Sequence, residues 1–245
     1  MIAKAVRVGW VFCAVLGWTV SAAASPVGSR LEEQGRWNAG GEFNFMLDRD
    51  LSGGVEAESN QYMATAAYGI TDRISALVKL GAADLEESGV PDFDTSFAYG
   101  VGLRAQLVDM VPWKLIASPQ YFSIVEPNTN IGAVDVDGSW HEFQGSLVVA
   151  RSFPLRSAEY STEGGQNGSA PQSVIRPYAG LKVSEVSADR EFTFPSGAQT
   201  ETDLDADDHV GLVAGGEADM GQWAVAVEGR AIDESAITLA VNKDF

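Results

Sequence analysis

The chain has 245 residues, a formal net charge of −18 and 45% hydrophobic residues. Cys13 is its only cysteine, which excludes disulfides, thiolate metal sites and a cysteine nucleophile from everything after it. Acidity of this size excludes nucleic acid or anionic lipid held by a general electrostatic field, and no apolar run after residue 24 approaches the ~20 residues of a membrane helix.

Residues 1–24 read as an export leader. Lys4 and Arg7 form its positive start, residues 8–20 its apolar run, and Ser21-Ala22-Ala23-Ala24 its small-residue cleavage site. Cleavage after Ala24 would remove both cations and take the net charge to −20. An uncleaved anchor is the alternative, but the apolar run is short for a span. Cys13 sits behind Trp10-Val11-Phe12 without the small residues of a lipoprotein signal. Residues 25–36 read as a short periplasmic tail, and residues 37–245 as one domain.

That domain carries hydrophobicity of period two, the mark of strands with one apolar and one polar or small face. Phe43, Phe45 and Leu47 oppose Glu42, Asn44 and Met46; Tyr62 and Tyr68 oppose Gln61 and Thr65; Val78 and Leu80 oppose Lys79. Residues 96–107 set Phe97, Tyr99, Val101 and Leu103 against Ala98, Gly100, Gly102 and Arg104. Residues 113–125 alternate around Lys114, Ser118 and Gln120, but Phe122 and Ile124 blur the pattern. Residues 142–149, 175–183 and 210–220 follow, with Glu142, Arg176, Lys182, Glu217 and Asp219 on the polar side. Residues 223–231 are the purest, with Trp223, Val225 and Val227 against Glu228 and Arg230. The last segment places Ile237, Leu239, Val241 and Phe245 on one face.

A polar face of small residues and both charge signs fits the lumen of a barrel whose apolar face meets lipid. The fold expected is all-β: a closed antiparallel transmembrane β-barrel of about ten strands, with eight or twelve as alternatives. Connections at 71–73, 109–112 and 221–222 are short; those at 49–58, 84–94, 126–138 and 189–208 are long. They alternate as periplasmic turns and outer loops do. Residues 155–173, Gly- and Ser-rich, break the rule as a long insertion on the periplasmic side.

A strand ending the chain on Phe245 resembles the insertion signal of bacterial outer-membrane proteins, although Lys243 stands where an aromatic is common. The run Tyr68-Gly-Ile-Thr-Asp-Arg-Ile74 resembles hairpins of small barrels of that class. The resemblance implies the outer membrane as location. It also implies outer-membrane lipid, lipopolysaccharide and the barrel-insertion machinery as partners, no nucleic acid and no cofactor.

The polar face predicts a lumen network of Glu42, Lys79, Arg104, Lys114, Glu142, Arg176, Lys182, Glu217, Asp219, Glu228 and Arg230. Unpaired buried charges cost several kcal/mol each, so these should pair across a lumen that ten strands leave narrow. The expected function is therefore non-enzymatic: a structural barrel, or a narrow small-solute channel. Trp37, Trp113, Trp140 and Trp223 at strand ends read as an interfacial girdle. Asp203-x-Asp205-x-Asp207 has the alternating carboxylates of a weak Ca²⁺ candidate. Asp92-x-Asp94 and Asp207-x-His209 resemble the Asp-Asp and Asp-His pairs of the ten-stranded omptin proteases, which would make His209 a general base. A soluble exported β-barrel or sandwich that binds a ligand is the remaining alternative, with the apolar face turned inward.

Overall fold

The computed structural model describes residues 28–155 and 173–245. The leader and nearly all of the 155–173 insertion lie outside the described residues.

Ten long strands follow one another: β1 (Trp37–Leu51), β2 (Val55–Thr71), β3 (Ile74–Ala83), β4 (Ser96–Met110), β5 (Trp113–Ile124), β6 (Val134–Arg151), β7 (Val174–Thr193), β8 (Val210–Met220), β9 (Trp223–Ala231) and β10 (Ser235–Asp244). Each pairs antiparallel with its sequence neighbour, and β10 pairs with β1 through residues such as Leu239↔Phe43 and Val241↔Gly41. The sheet therefore closes. Closure leaves no edge of unpaired backbone, the condition a sheet must meet in lipid. At the seam the Phe245 N–H donates to the Trp37 carbonyl at 3.0 Å.

The two faces are sorted as a membrane barrel requires. Phe43, Tyr62, Val78, Leu80, Phe97, Val101, Leu181, Leu212, Val227, Ile237 and Leu239 are all exposed on the outside. Glu42, Asn44, Gln61, Lys79, Gln144, Lys182, Glu228 and Thr238, their alternates, are buried inside. An apolar exterior around a polar interior inverts the soluble arrangement, and the soluble-binder expectation fails on it.

The strands on the side away from the termini run further than the sequence pattern indicated. Residues 49–58 are not a loop: only Ser52, Gly53 and Gly54 turn, between strands that pair up to Leu51↔Val55. Gly53 and Gly54 take positive φ there, which glycine adopts without a Cβ clash. Residues 126–138 form a hairpin in which Asn128–Ile131 pairs with the start of β6. Residues 189–208 hold the end of β7 and a further strand, Gln199–Asp205, paired with it. A bridge between Leu51 and Ala206 ties the β1–β2 tip across to that strand.

Under this roof the inward face turns apolar. Met46, Leu51, Phe93, Phe122, Ile124, Val136, Trp140 and Leu204 pack into one cluster. Phe122 and Ile124, which blurred the alternation of residues 113–125, therefore point inward as that pattern's even positions should. Trp140 is corrected: it is 1% exposed and lies inside this cluster, not in the girdle. The reason is parity, since it shares the inward face of β6 with Glu142 and Gln144 and lies six residues inside the strand. Trp37, Trp113 and Trp223 do stand exposed at the termini side.

Candidate functional site: the barrel lumen

The interior is filled at three levels, the apolar cluster being the outermost. The middle level is a charged layer. Arg49 Nη1 lies 2.9 Å from Glu142 Oε1 and 3.2 Å from Glu234 Oε2, and its Nη2 donates to Ser184 Oγ at 2.8 Å. The Ser184 hydroxyl donates to Asp233 at 2.6 Å. Lys182 Nζ meets Asp233 at 2.8 Å, Glu142 at 3.9 Å and Glu234 in closer contact. Arg230 meets Glu234 at 3.0 Å and donates to Asn44 and Thr238. Just beneath, Lys79 pairs with Glu42 at 3.1 Å, and the Tyr178 hydroxyl donates to Glu228 at 2.8 Å.

Every charge predicted for the lumen lies on the inward side. Glu42, Lys79, Glu142, Lys182, Glu217, Glu228 and Arg230 are buried. Arg104, Lys114, Arg176 and Asp219 are half-buried nearer the termini-side mouth. Three central members escaped the sequence pattern. Arg49 follows Leu47 by two, so strict alternation would turn it outward. A β-bulge between Met46 and Arg49 adds a residue and flips the parity. Asp233 and Glu234 belong to no strand: they come from the β9–β10 connection, where Ile232 takes φ 90° and the two carboxylates turn into the lumen. A non-glycine residue at such a φ costs of order 1–3 kcal/mol and persists only where its surroundings fix it. The ion pairs of Asp233 and Glu234 do so here.

The third level is built by the tail. Residues 28–34 do not hang free but cross the termini-side mouth as a strap, with Ser29 and Glu32 buried. The Gly35 N–H bonds the Gly69 carbonyl, and a Cβ on Gly69 would stand 2.0 Å from the Glu33 carbonyl oxygen, so only glycine lets the strap pass so close. Leu31 packs beside Ile116, Val148, Tyr178 and Val213. Burial raises the Glu32 carboxyl above its ordinary range, with Arg30 and Arg104 opposing. Between strap and charged layer remains a cavity of about 40 Å³, lined in part by Ala67, Ala224, Ala226 and Ala240.

The protease and metal candidates come from two different connections of the roof. Asp92 and Asp94 lie on the β3–β4 connection, while Asp207 and His209 lie before β8, four connections further round the ring. The Asp207 N–H donates to the Asp50 carbonyl, and His209 Nδ1 lies 3.2 Å from the Ser184 carbonyl. Asp203 and Asp205 sit on the outward face of their strand, paired with Asp189 and Ser187. Among the described residues no three Asp, Glu, His or Cys side chains gather as a metal site. His141 faces outward, its Nδ1 2.8 Å from the Tyr121 hydroxyl and 3.1 Å from that of Ser123.

No family model and no curated protein matches the chain. Solved structures similar to it are outer-membrane proteins. The translocator domain of the autotransporter NalP from Neisseria meningitidis is 14% identical with a TM-score of 0.44, over 89% of this chain and 90% of that one. OprG from Pseudomonas aeruginosa is 9% identical with a TM-score of 0.42, over 87% and 97%. AlkL, solved in lipid bilayers, is 12% identical with a TM-score of 0.39, over 91% and 96%.

Proposed function

We propose that the protein is a non-enzymatic outer-membrane barrel with a closed lumen, a structural element of the envelope and not an open pore. The observation that carries this reading is the filling of the interior at three successive levels: apolar cluster, charged layer and strap. An interior of about eight strands is just filled by side chains, and ten add little room. Here large side chains and a chain segment take it up. The lipid of the outer membrane would contact the apolar belt, lipopolysaccharide the outer hairpins, and the insertion machinery the terminal strand.

Two measurements test the reading. The folded protein should migrate differently on SDS gels before and after boiling, and reconstituted into a planar bilayer it should give a flat trace. Steady ohmic conductance of single insertions would replace the closed barrel with a narrow channel. Peptide cleavage by the wild type that His209→Ala abolishes would replace it with an enzyme.

A further inference from the structure

The strap is held the way a ligand is held. Its receptor groups all belong to the barrel wall: Ser75 on β3, Arg104 on β4, Glu217 and Asp219 on β8, and Asp244 on β10. Arg30 sets its guanidinium 2.5 Å from Asp244 and 3.5 Å from Asp219. The Ser29 N–H donates to Glu217 at 3.2 Å, and the Glu32 N–H donates to Ser75 Oγ at 2.9 Å. Arg104 Nη1 donates to the Arg30 carbonyl at 2.7 Å. Two main-chain donors and one main-chain acceptor are thus read by the wall, and these exist in any extended peptide. Two strap side chains are read as well: Glu32 Oε1 accepts from Asn38 Nδ2 at 2.5 Å, and Arg30 presents a planar fork that suits a pair of converging carboxylates.

The occupant fits incompletely. Arg30 Nη1 and Asp219 Oδ1 face each other only as a 3.5 Å ion pair, and Oδ1 of Asp244 is enclosed without a hydrogen-bond donor. A cleft of about 360 Å³ remains beside the strap, reaching Lys114, Arg176 and Phe245. A long ion pair, a carboxylate oxygen without a donor and spare room are what a better-matched segment would use, since a buried acceptor left unsatisfied is costly.

We propose that this mouth is a binding site for an extended peptide segment bearing an arginine, supplied by a periplasm-facing partner, and that residues 28–34 are its tethered self-ligand. The tether gives the strap a millimolar effective concentration, so a free peptide competes poorly until Arg30 is removed from its carboxylates. The site stands whether or not the lumen conducts, and bilayer recordings do not bear on it.

The test uses the full chain in detergent micelles, a labelled peptide with the sequence of residues 27–36, and Arg30→Glu, which sets a carboxylate against Asp219 and Asp244. Release of the strap is read first. The thiol of Ser29→Cys, buried in the parent, should react with a polar maleimide at least ~10-fold faster when Arg30→Glu is added. The peptide should then bind Arg30→Glu saturably and at least ~10-fold more tightly than it binds wild type. The same peptide carrying Arg30→Gln should not bind. Gel mobility before and after boiling verifies folding, and the milder Arg30→Gln chain replaces Arg30→Glu if that variant fails to fold. The proposal is overturned by a thiol equally protected in both chains, by a released chain that ignores the peptide, or by equal binding of the two peptides.

Discussion

Lys182 shows what a single side chain does in the charged layer. It reaches from β7 to Asp233, Glu234 and Glu142 and is fully buried among them. An ammonium so placed gains little net energy over a well-packed apolar neighbour, because desolvation offsets most of the attraction; removing it alone strands its carboxylates. Lys182→Met should therefore lower unfolding free energy in vesicles by about 3–5 kcal/mol, and adding Glu234→Gln should restore part of the loss. Urea titrations followed by tryptophan fluorescence would measure both, and a single variant within ~1 kcal/mol of wild type would mean the layer is not dry. Lys182 and its partner Glu142 were legible in the sequence, because both sit on uninterrupted alternation. Arg49 was not, because a bulge reverses the faces before it. Asp233 and Glu234 were not either, because a connection has no period to read.

At the scale of elements, the β3–β4 connection shows how the acidic outer hairpins bear their charge. Its Glu86–Glu87 segment pairs with Glu58 and Ala57 of β2. The exposed Glu86 carboxyl is raised above its ordinary range, mainly by Asp92, then by partial burial, Glu58 and Asp84. Glu87 is raised by burial, against the opposing pull of Arg190. A carboxyl raised in the folded state binds more protons there than in the unfolded chain, so its contribution to stability falls as pH rises through the window between the two pKa values. The hairpin should accordingly tighten as pH falls from 7 toward the carboxylate range. Hydrogen exchange at Ser88 and Val90, whose N–H groups bond the Glu56 and Glu87 carbonyls, would report it after correction for intrinsic rates. Glu86→Gln should raise protection at pH 7 and flatten the trend, and rising protection with pH would contradict the account. The same hairpins explain where sequence reading stopped. Asp, Glu, Gly and Ser resemble loop composition, yet above the lipid a strand needs no apolar face to continue, only a neighbouring strand to pair with. Residues 135–139 and 189–193 pair with one another in this way, and Val136 and Phe192 add an inward contact with the apolar cluster.

For the whole molecule, the decisive property is the inversion of its two faces, and charge placement agrees with it. The cations on the outer surface gather at the termini side, where Arg151 lies 5.1 Å over the Trp113 ring and Lys243 lies 5.1 Å over that of Phe245. There a cation can sit at the membrane interface with its stem against apolar surface. Among the described residues no cation interrupts the belt between, which β9 and β10 cross with Val225, Val227, Ile237, Leu239 and Val241 all outward. Leu239 pairs with Phe43 on one side and Val227 on the other, at mid-belt. It stands 45% exposed on the outward face, so in a water-soluble barrel Leu239→Arg would be an ordinary surface change within about ±0.5 kcal/mol. In a bilayer the same guanidinium stands in hydrocarbon and should cost about 2–4 kcal/mol. Moving the substitution to the rim, as Trp223→Arg, should shrink the penalty to ~1 kcal/mol or less beyond the loss of the ring itself, because the charge there reaches water. Unfolding free energies in vesicles of defined thickness would separate the two cases. A depth-dependent penalty is the signature of lipid around the barrel, and two equal, negligible effects would place water there instead.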